Sequence, residues 1–570
     1  MSDSSATSVA TTEDVHTLDD SVDSLTTGAK QLQSMSLDKR RELVDACAAG
    51  AARNAVKWVE AACRAKRIAS DGAIAAEEIL AGPSSLLRYL HLLSSVFRDI
   101  EKNGVPSLPG RPRKNSRGRT CVPVLPVADL YDSMLFMGLK AEVWLQSGAD
   151  EQSLFSDSMP SAAPLATSNS PAKVAGVLGA GNVSTIPLTD TLYKIFHEQE
   201  AVLLKLNPVN EYLEPVFSDT LRPLIDANLL RIVRGGREMG DAVVQHTGID
   251  TLHLTGSHLT HDAIVWGSDC SKRAACKQEE KPLVTKPVTS ELGNVTPWIV
   301  VPGNYSKKQL RSQAEHLVAS IVNNASFNCV ATKMIVTSRS WPQREEFLNL
   351  LDSLLKAVPP RFAYYPGAKE RFERATGQAH VEMGDGCLPW TLIRDARPDE
   401  SPHLFEEESF VCVCAETALD QSSPAAFVEE AVEFVNHRLF GTLCATLTLP
   451  AGFQSSHAEA LDLAIERLRY GSVCINQWSG IVYGMMTPPW GGVPGTTLAD
   501  PQSGIGSVHN TYFLDRVEKT VLVGPLCNPM KPVWFASHRT AHKVAWNLVD
   551  FYRRPSLAKL LPITFNALRG

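Results

Sequence analysis

Cys329 is the residue of this chain whose side chain offers the most distinctive chemistry. It follows the polar stretch 323–328 and lies downstream of Lys205 and of the segment 290–294. A cysteine thiolate is the strongest common side-chain nucleophile, and it attacks aldehydes and thioesters readily. A lone cysteine beside an apolar run is more often a small buried hydrophobic residue. Lys205, the segment 290–294 and Cys329, taken together in this order, predict a covalent enzyme. In such an enzyme a carboxylate could activate water and a lysine could hold a ribose.

The composition indicates a soluble protein with a large core. The 570 residues are 44% hydrophobic and 21% charged, which is enough for more than one lobe. The formal net charge of -7 gives no reason to expect a nucleic-acid partner. Twelve mostly isolated cysteines are too dilute for a disulfide scaffold and fit reduced thiols. Because no run of about 18 apolar residues occurs, we expect no transmembrane segment and a cytoplasmic location.

The elements that must position Cys329 follow from the apolar pattern. The segment 1–27 is rich in Ser, Thr and Asp, and we expect a disordered tail there. Helical spacing over 37–92 predicts several helices. Further on, strands alternate with helices, which predicts a parallel, doubly wound sheet. Ligands of such sheets bind at the carboxyl ends of the strands, where Asn182, Lys205 and Gly256 fall.

Seven short motifs follow one another in a fixed order. They are Asn182, Lys205 twenty-three residues later, Thr255-Gly256-Ser257, Glu291-Leu292-Gly293-Asn294, Cys329, Glu407-Glu408-Ser409-Phe410 and Pro489-Trp490-Gly491-Gly492. Each motif alone is weak. Together, in this order and at these intervals, they resemble the aldehyde dehydrogenase superfamily over roughly 174–523.

The resemblance implies roles for three catalytic residues. Cys329 would add to the substrate carbonyl as a thiolate and form a tetrahedral oxyanion. The Asn182 amide and the Cys329 backbone N–H would donate hydrogen bonds to that oxyanion. Glu291 would activate the water that hydrolyses the resulting thioester. From local sequence alone, Asn182 could also be a turn residue and Glu291 a solvated loop carboxylate.

The resemblance also implies NAD or NADP as the cofactor, with NAD slightly favoured. Lys205 would bond the adenosine ribose, and Gly256 and Ser257 would bring a helix N-terminus to the diphosphate. Glu408 would bind the nicotinamide ribose, with Phe410 beside the nicotinamide ring. The glutamate that often contacts the ribose 2'-hydroxyl of NAD is displaced or missing, so NADP stays open. The alternatives are an edge lysine for Lys205 and a core residue for Phe410.

Three positions depart from the family pattern. Ser326 and Phe327 replace the usual Gly-Gln before the nucleophile, and His261 replaces the second glycine of the diphosphate loop. His253, His258 and His261 flank a strand-to-helix turn, and no cluster with zinc spacing is complete, so we expect no metal site. These histidines are expected to reshape cofactor binding or to lie at the surface.

The fold that the resemblance implies is α/β and of the aldehyde dehydrogenase type. It has a Rossmann-type cofactor domain, an α/β catalytic domain and a β oligomerisation arm. The expected units are the tail 1–27, N-terminal helices with the dinucleotide-binding domain 28–295, the catalytic domain 296–500, the bridging strand 501–525 and a basic, aromatic extension 526–570. The strand is expected to pair with another subunit of a homodimer or homotetramer. The extension could dock on the subunit, a partner or a membrane surface, and docking on its own oligomer is favoured.

Three functions are compatible with these residues. The first is NAD(P)-dependent oxidation of an aldehyde to a carboxylic acid through a thiohemiacetal and a thioester on Cys329. The second is reduction of an acyl-CoA or acyl-protein thioester with the same cysteine, as in the fatty acid reductase branch, which typically lacks the water-activating glutamate; Glu291 therefore favours the first. The third is a non-catalytic scaffold, against which the joint presence of Cys329, Glu291, Asn182 and Glu408 argues. The sequence does not identify the aldehyde.

Overall fold

The computed structural model describes residues 12–127, 130–155, 159, 171–379 and 384–570. In chain order the helices are α1 (Thr12–Gln33), α2 (Leu37–Ala65), α3 (Ala76–Ile79), α4 (Ser85–Asn103), α5 (Leu130–Leu135), α6 (Ile186–Phe196), α7 (Glu214–Thr220), α8 (Arg222–Asp226), α9 (Arg237–Gln245), α10 (His258–Trp266), α11 (Cys270–Gln278), α12 (Lys307–Val322), α13 (Arg344–Lys356), α14 (Ala368–Thr376), α15 (His403–Glu406), α16 (Pro424–Arg438), α17 (Phe453–Ser456), α18 (Ala458–Arg467), α19 (Gly480–Met485), α20 (Ala541–Arg553) and α21 (Leu557–Leu568). The strands are β1 (Arg113–Lys114), β2 (Thr120–Leu125), β3 (Lys140–Leu145), β4 (Val174–Leu178), β5 (Ala201–Lys205), β6 (Leu230–Val233), β7 (Thr251–Thr255), β8 (Val288–Glu291), β9 (Thr296–Val300), β10 (Thr332–Ser338), β11 (Arg361–Phe362), β12 (Cys387–Leu388), β13 (Thr391–Ile393), β14 (Val413–Leu419), β15 (Cys444–Thr448), β16 (Ser472–Ile475), β17 (Pro489–Trp490), β18 (Gly504–Ile505), β19 (Val508–His509) and β20 (Val517–Val523).

A six-stranded sheet forms the first α/β unit. Its strand order is β18-β8-β7-β4-β5-β6, and all pairs from β8 to β6 are parallel. The residues of β4 and β5 are apolar apart from Lys205 and are all buried, as expected for strands covered on both faces. The predicted parallel sheet is confirmed. Asn182 and Gly256 follow β4 and β7, and Lys205 ends β5, at the same edge.

A ten-stranded sheet forms the second unit, in the order β1-β2-β3-β20-β16-β15-β9-β10-β14-β13. The strands from β20 to β13 pair in parallel, whereas β1, β2 and β3 form an antiparallel end. Cys329 lies three residues before β10, at the amino end of a central strand.

The strand expected to pair with another subunit lies inside this sheet. β20 pairs in parallel with β16 and antiparallel with β3, so both of its edges are occupied by its own chain. Pairing of the segment 501–525 with another subunit stays a prediction. A homodimer or homotetramer stays a prediction, and this strand does not offer the edge for it.

The N-terminal segment is helical where the sequence predicted a disordered tail. α1 begins at Thr12, so the prediction for 1–27 is wrong over its second half, and residues 1–11 lie outside the described residues. Gly28 allows α1 to lie close to the backbone of Asn228, because a β-carbon at position 28 would lie 1.9 Å from the carbonyl oxygen of Asn228. A few apolar residues at helical spacing outweigh the polar composition because they pack against strands of the six-stranded sheet. These residues are Leu18, Val22, Leu25 and Ala29.

The C-terminal extension is a helical hairpin that packs on its own subunit. α20 contacts α2, α3 and α4, and α21 packs on α20. Val544, Phe551, Leu560 and Ile563 form a small core between the two helices. The apolar face of α20 is thus buried against the N-terminal helices of its own subunit, and docking of the extension on the oligomer stays a prediction. Within the described residues, none of the helices combines the length and hydropathy needed to cross a bilayer.

Candidate active site

Three consecutive left-handed residues lead the chain from α12 to Cys329. The φ angles of 324–326 are 52°, 54° and 69°. Such a run without glycine costs free energy and persists only where the surroundings fix it. The Asn324 side chain contributes, since its Nδ2 donates to the carbonyl oxygens of Asn182 and Phe327, both at 3.1 Å. The backbone before Cys329 is thus held by side-chain hydrogen bonds.

Cys329 and Glu291 form a direct contact. The Cys329 Sγ donates to Glu291 Oε1 at 3.3 Å, and Glu291 is 3% exposed at the end of β8. Burial, followed by the charge of Asp190, raises the pKa of Glu291 to about 7. Burial also raises the pKa of the Cys329 thiol well above its ordinary value, and the carboxylates of Glu291 and Glu408 add to that shift. The pair is therefore a neutral thiol bonded to a carboxyl group that titrates near neutral pH.

Glu408 reaches the same site. A β-carbon on Gly293 would lie 2.1 Å from Glu408 Oε2, so the carboxylate lies against the backbone two residues after Glu291. Its Oε1 is buried and has no hydrogen-bond partner among the described residues. Burial raises the pKa of Glu408, and the charge of Lys333 opposes that shift. Lys333 itself is buried and donates to the carbonyl oxygen of Val411 at 2.6 Å, and burial lowers its pKa.

Asn182 lies beside the Cys329 loop, and one of its N–H groups is engaged. Its Nδ2 donates to the carbonyl oxygen of Phe327 at 3.0 Å. A side-chain amide carries two donor hydrogens, so one remains for a ligand. The structure therefore brings Asn182 to the loop of the nucleophile.

A buried ion pair between Lys66 and Glu78, from the N-terminal helices, contacts the backbone of Asn182. Lys66, at the end of α2, donates to Glu78 at 2.7 Å, and both side chains are at most 6% exposed. The same ammonium group donates to the carbonyl oxygen of Asn182 at 3.2 Å and to Asn324 Oδ1 at 2.8 Å. One cation thus joins the Asn182 turn to the Cys329 loop. Sequence reasoning missed this pair, because its members come from helices assigned only to packing.

Asp190 is a second residue that the sequence did not single out. It is fully buried on α6, and its Oδ2 accepts from Thr255 Oγ1 at 2.8 Å. His253 Nε2 lies 3.5 Å from the same carboxylate. Of the two alternatives for the histidines, a surface location is wrong for His253 and His261, which are buried, and a role in cofactor binding stays a prediction. Burial lowers the pKa of His261. The single acidic residue of a helix whose sequence is otherwise rich in apolar residues was the available signal.

The residues expected to hold a dinucleotide lie at the carboxyl edge of the six-stranded sheet. Burial lowers the pKa of Lys205. The Gly256 N–H donates to the carbonyl oxygen of Glu291 at 3.0 Å, which ties this edge to the reactive pair. Ser257 caps α10, accepting from the Thr260 N–H at 3.2 Å, and both Gly256 and Ser257 are exposed. The first turn of α10 therefore presents N–H groups that suit an anion. In the described part of the chain, no hydrogen bond joins Lys205 or Ser257 to Cys329.

Phe410 belongs to an aromatic cluster next to the Cys329 loop. Its ring centroid lies 5.8 Å from that of Phe327 and 5.1 Å from that of Tyr365. Its φ of 42° is in the left-handed region, so the backbone there is held by its surroundings. Phe327, the aromatic residue that replaces the usual Gln, thus contacts Phe410.

A cavity of about 360 Å³ is lined by Val322 and Asn323, which precede the loop that leads to Cys329. Trp478 lines it and donates from Nε1 to the carbonyl oxygen of Val330 at 3.0 Å, one residue after Cys329. The outer wall includes Met134 and Met137, which are 43% and 47% exposed, so the cavity reaches the surface there. Other apolar walls come from α19 and from the C-terminal hairpin: Ile481, Tyr483, Val544, Leu548, Leu560 and Ile563.

Solved structures share this architecture. An indole-3-acetaldehyde dehydrogenase complexed with NAD+ is 17% identical, with a TM-score of 0.58 and 90% of this chain and 89% of that chain covered. The glyceraldehyde-3-phosphate dehydrogenase GapN of Methanocaldococcus jannaschii, complexed with NADP, is 13% identical, with a TM-score of 0.57 and coverage of 90% and 95%. At such identities the likeness shows the fold, which is that of the aldehyde dehydrogenases.

Sequence comparison agrees with the fold. Residues 213–360 match the model of the aldehyde dehydrogenase family. Aldehyde dehydrogenase LUC3 of a Fusarium species is 24% identical over 298 residues, which are 48% of this chain and 56% of that protein. The match thus spans about half the length of the curated relative. Taken together, these matches make the chain similar to the aldehyde dehydrogenase family over residues 213–360, on a fold of the aldehyde dehydrogenase type.

Proposed function

We propose that the protein oxidises an aldehyde to a carboxylic acid with NAD or NADP, through a thiohemiacetal and a thioester on Cys329. The observation that carries this proposal is the 3.3 Å contact between the Cys329 thiol and the Glu291 carboxylate. It joins a nucleophile to a base whose pKa of about 7 suits proton transfer at neutral pH. The curated relative is itself described as an aldehyde dehydrogenase.

The first half of the reaction forms the bond to the substrate. Glu291 accepts the thiol proton, and the Cys329 sulfur attacks the carbonyl carbon of the aldehyde. The carbonyl oxygen becomes an oxyanion, which the remaining Asn182 N–H and the backbone N–H of Cys329 would stabilise. A dinucleotide held by Glu408 and the residues at the sheet edge would supply the acceptor for the hydride that leaves this carbon. The product on the protein is a thioester of Cys329.

The second half hydrolyses the thioester. Glu291 must first lose the thiol proton to solvent, which a pKa of about 7 permits. It then takes a proton from water as the water attacks the acyl carbon. The tetrahedral adduct expels the Cys329 thiolate and releases the carboxylic acid, and protonation of the thiolate restores the resting pair.

Glu408 and the residues at the edge of the six-stranded sheet fit a dinucleotide. The orphaned Glu408 Oε1 would accept from a ribose hydroxyl, and the exposed first turn of α10 at Ser257 would take the diphosphate. Lys205 would bond the adenosine ribose. The charge of Glu211 acts on Lys205, and a carboxylate there would repel the 2'-phosphate of NADP. This charge supports NAD as the preferred cofactor, so Glu211→Gln should narrow the preference for NAD over NADP in kcat/KM.

The cavity beside Trp478 supports an apolar substrate. Its walls are mostly aliphatic and aromatic side chains, and its lining residue Trp478 bonds the backbone one residue after Cys329. We propose that the aldehyde enters there. Chain length and bulk would then be selected by the walls from α19 and the C-terminal hairpin.

Purified protein tests the proposal through the absorbance of the reduced nicotinamide. A panel of aliphatic and aromatic aldehydes is incubated with NAD or NADP, with and without CoA. Turnover without CoA is the expected result. Turnover that requires CoA would indicate that the acyl group is transferred to a thiol and not to water. No turnover from a protein that is folded and binds the dinucleotide would contradict an enzymatic role.

Two variants separate the steps. Cys329→Ser should abolish turnover and the covalent adduct seen by intact-protein mass spectrometry. Glu291→Gln should retain a first burst of reduced nicotinamide but accumulate the thioester, with steady-state turnover lowered about 10²- to 10⁴-fold. If Glu291→Gln turns over at the wild-type rate, the proposed base is wrong. Glu346→Gln, on the exposed face of α13, is the matched control.

A further inference from the structure

The helix α21 exposes a continuous apolar face. Leu557, Leu561, Phe565 and Leu568 are 58%, 72%, 58% and 70% exposed. Their spacing of four, four and three residues places them in one stripe on a helix with 3.6 residues per turn. Of the eleven large apolar side chains exposed in the described part of the chain, four lie on this helix. A concentration of this kind marks a surface that binds a partner or a membrane.

The stripe cannot be buried by rotating the helix. The opposite face is already packed, since Leu560 and Ile563 are 4% and 7% exposed and line the cavity. Polar bonds fix α21 to the rest of the hairpin: Thr540 Oγ1 donates to the carbonyl oxygen of Asn566 at 2.6 Å, and Lys559 Nζ donates to Asp550 Oδ1 at 3.0 Å. The exposed face is therefore a fixed feature of the fold.

The positive charge around the apolar stripe favours an anionic partner. Residues 531–570 contain seven Lys and Arg but one acidic residue, whereas the chain as a whole has a formal net charge of -7. Arg553 and Arg554 precede α21 and Arg569 follows it, and all three are exposed. Basic residues at both ends of an apolar helical face are typical of helices that lie in the interface of an anionic bilayer. A symmetric contact with a second copy would instead bring the same arginines together.

We propose that α21 docks on the surface of an anionic lipid bilayer. Leu557, Leu561, Phe565 and Leu568 enter the boundary between headgroups and acyl chains, and the flanking arginines contact lipid phosphates. The helix lies parallel to the surface and does not cross it. The inference is independent of the proposed reaction, since it rests on the outer face of the hairpin.

Vesicle flotation with the full chain tests the docking. Vesicles of phosphatidylcholine with phosphatidylserine should bind the protein, those of phosphatidylcholine alone should bind it less, and added salt should weaken the binding. The variant Leu561→Glu/Phe565→Glu should lower the partition coefficient at least about tenfold, because two of the four inserted side chains are lost. The matched control Val56→Glu/Leu283→Glu makes the same changes at exposed apolar residues outside α21 and should bind like wild type.

Three results would overturn the proposal. One is that wild-type protein fails to float with the anionic vesicles. Another is that Leu561→Glu/Phe565→Glu floats as well as wild type while circular dichroism shows both to be folded. The last is that light scattering finds a dimer without lipid that this variant dissociates, which would make a second copy the occupant of the stripe.

Discussion

Replacing Glu291 by Gln should change how the stability of the protein depends on pH. Folding raises the pKa of this carboxyl group from 4.5 to about 7, mainly through burial. At about 1.36 kcal/mol per pKa unit, the difference corresponds to about 3 kcal/mol. A carboxyl group whose pKa is raised by folding stabilises the fold fully below the pKa of the unfolded chain. That contribution is lost as the pH rises through about 4.5 to about 7.

Glutamine cannot ionise, so it avoids this loss. The free energy of unfolding of Glu291→Gln, relative to wild type, should therefore rise by about 2 to 3 kcal/mol between pH 5 and pH 8 and stay constant at higher pH. Any cost of placing an amide beside Cys329 does not depend on pH over this range and moves the whole curve. The slope, and not the absolute difference, is the quantity that reports on Glu291.

Urea unfolding followed by tryptophan fluorescence measures this difference at each pH. The control is Glu346→Gln, whose side chain is exposed on α13 and whose difference from wild type should not change with pH. A difference for Glu291→Gln that stays constant within about 0.5 kcal/mol would refute a raised pKa for Glu291. It would also remove the reason to regard this residue as a base near neutral pH.

Three further outcomes follow from the site. Iodoacetamide should modify Cys329 slowly at pH 7 and faster at higher pH, since burial raises the pKa of this thiol. Peptide mass spectrometry measures the labelling rate, with Cys276 as the reference cysteine. Fast labelling of Cys329 at pH 7 would contradict the raised pKa. Lys66→Met should lower the free energy of unfolding by about 3 to 5 kcal/mol, because it leaves Glu78 buried and unpaired. Thermal unfolding measures this loss of stability. The double variant Lys66→Met/Glu78→Met should recover part of it. Asn182→Ala should lower kcat about 10²- to 10³-fold while the dissociation constant for the dinucleotide is unchanged; an unaltered kcat would exclude it as an oxyanion donor.

The sequence predicted those parts of the site that depend on strand ends. Asn182, Lys205 and Gly256 lie at one edge because parallel strands bring their carboxyl ends together, a rule that the spacing of the strands makes visible. Cys329 and Glu291 were predicted from the order of the motifs, and the structure brings them into contact.

Other parts of the site depend on contacts between distant segments. Lys66 reaches Asn324 across 258 positions of the chain, and nothing in the local sequence of α2 indicates that partner. Lys333 lies in β10 between Thr332 and Met334, and its burial next to Glu408 follows only from the packed structure. The helix α1 was missed because composition suggested disorder, whereas the sheet on which it packs supplies the missing apolar surface.

The contact between α20 and the N-terminal helices α2 and α3 has a consequence for biosynthesis. These segments are more than 450 positions apart. During translation, the apolar surface of α2 and α3 therefore stays exposed until almost the whole chain has been made. Through that interval they are open to chaperones, aggregation and proteolysis. A premature stop before residue 541 would leave the same surface permanently exposed, and such a chain should be degraded rather than accumulate as a smaller enzyme.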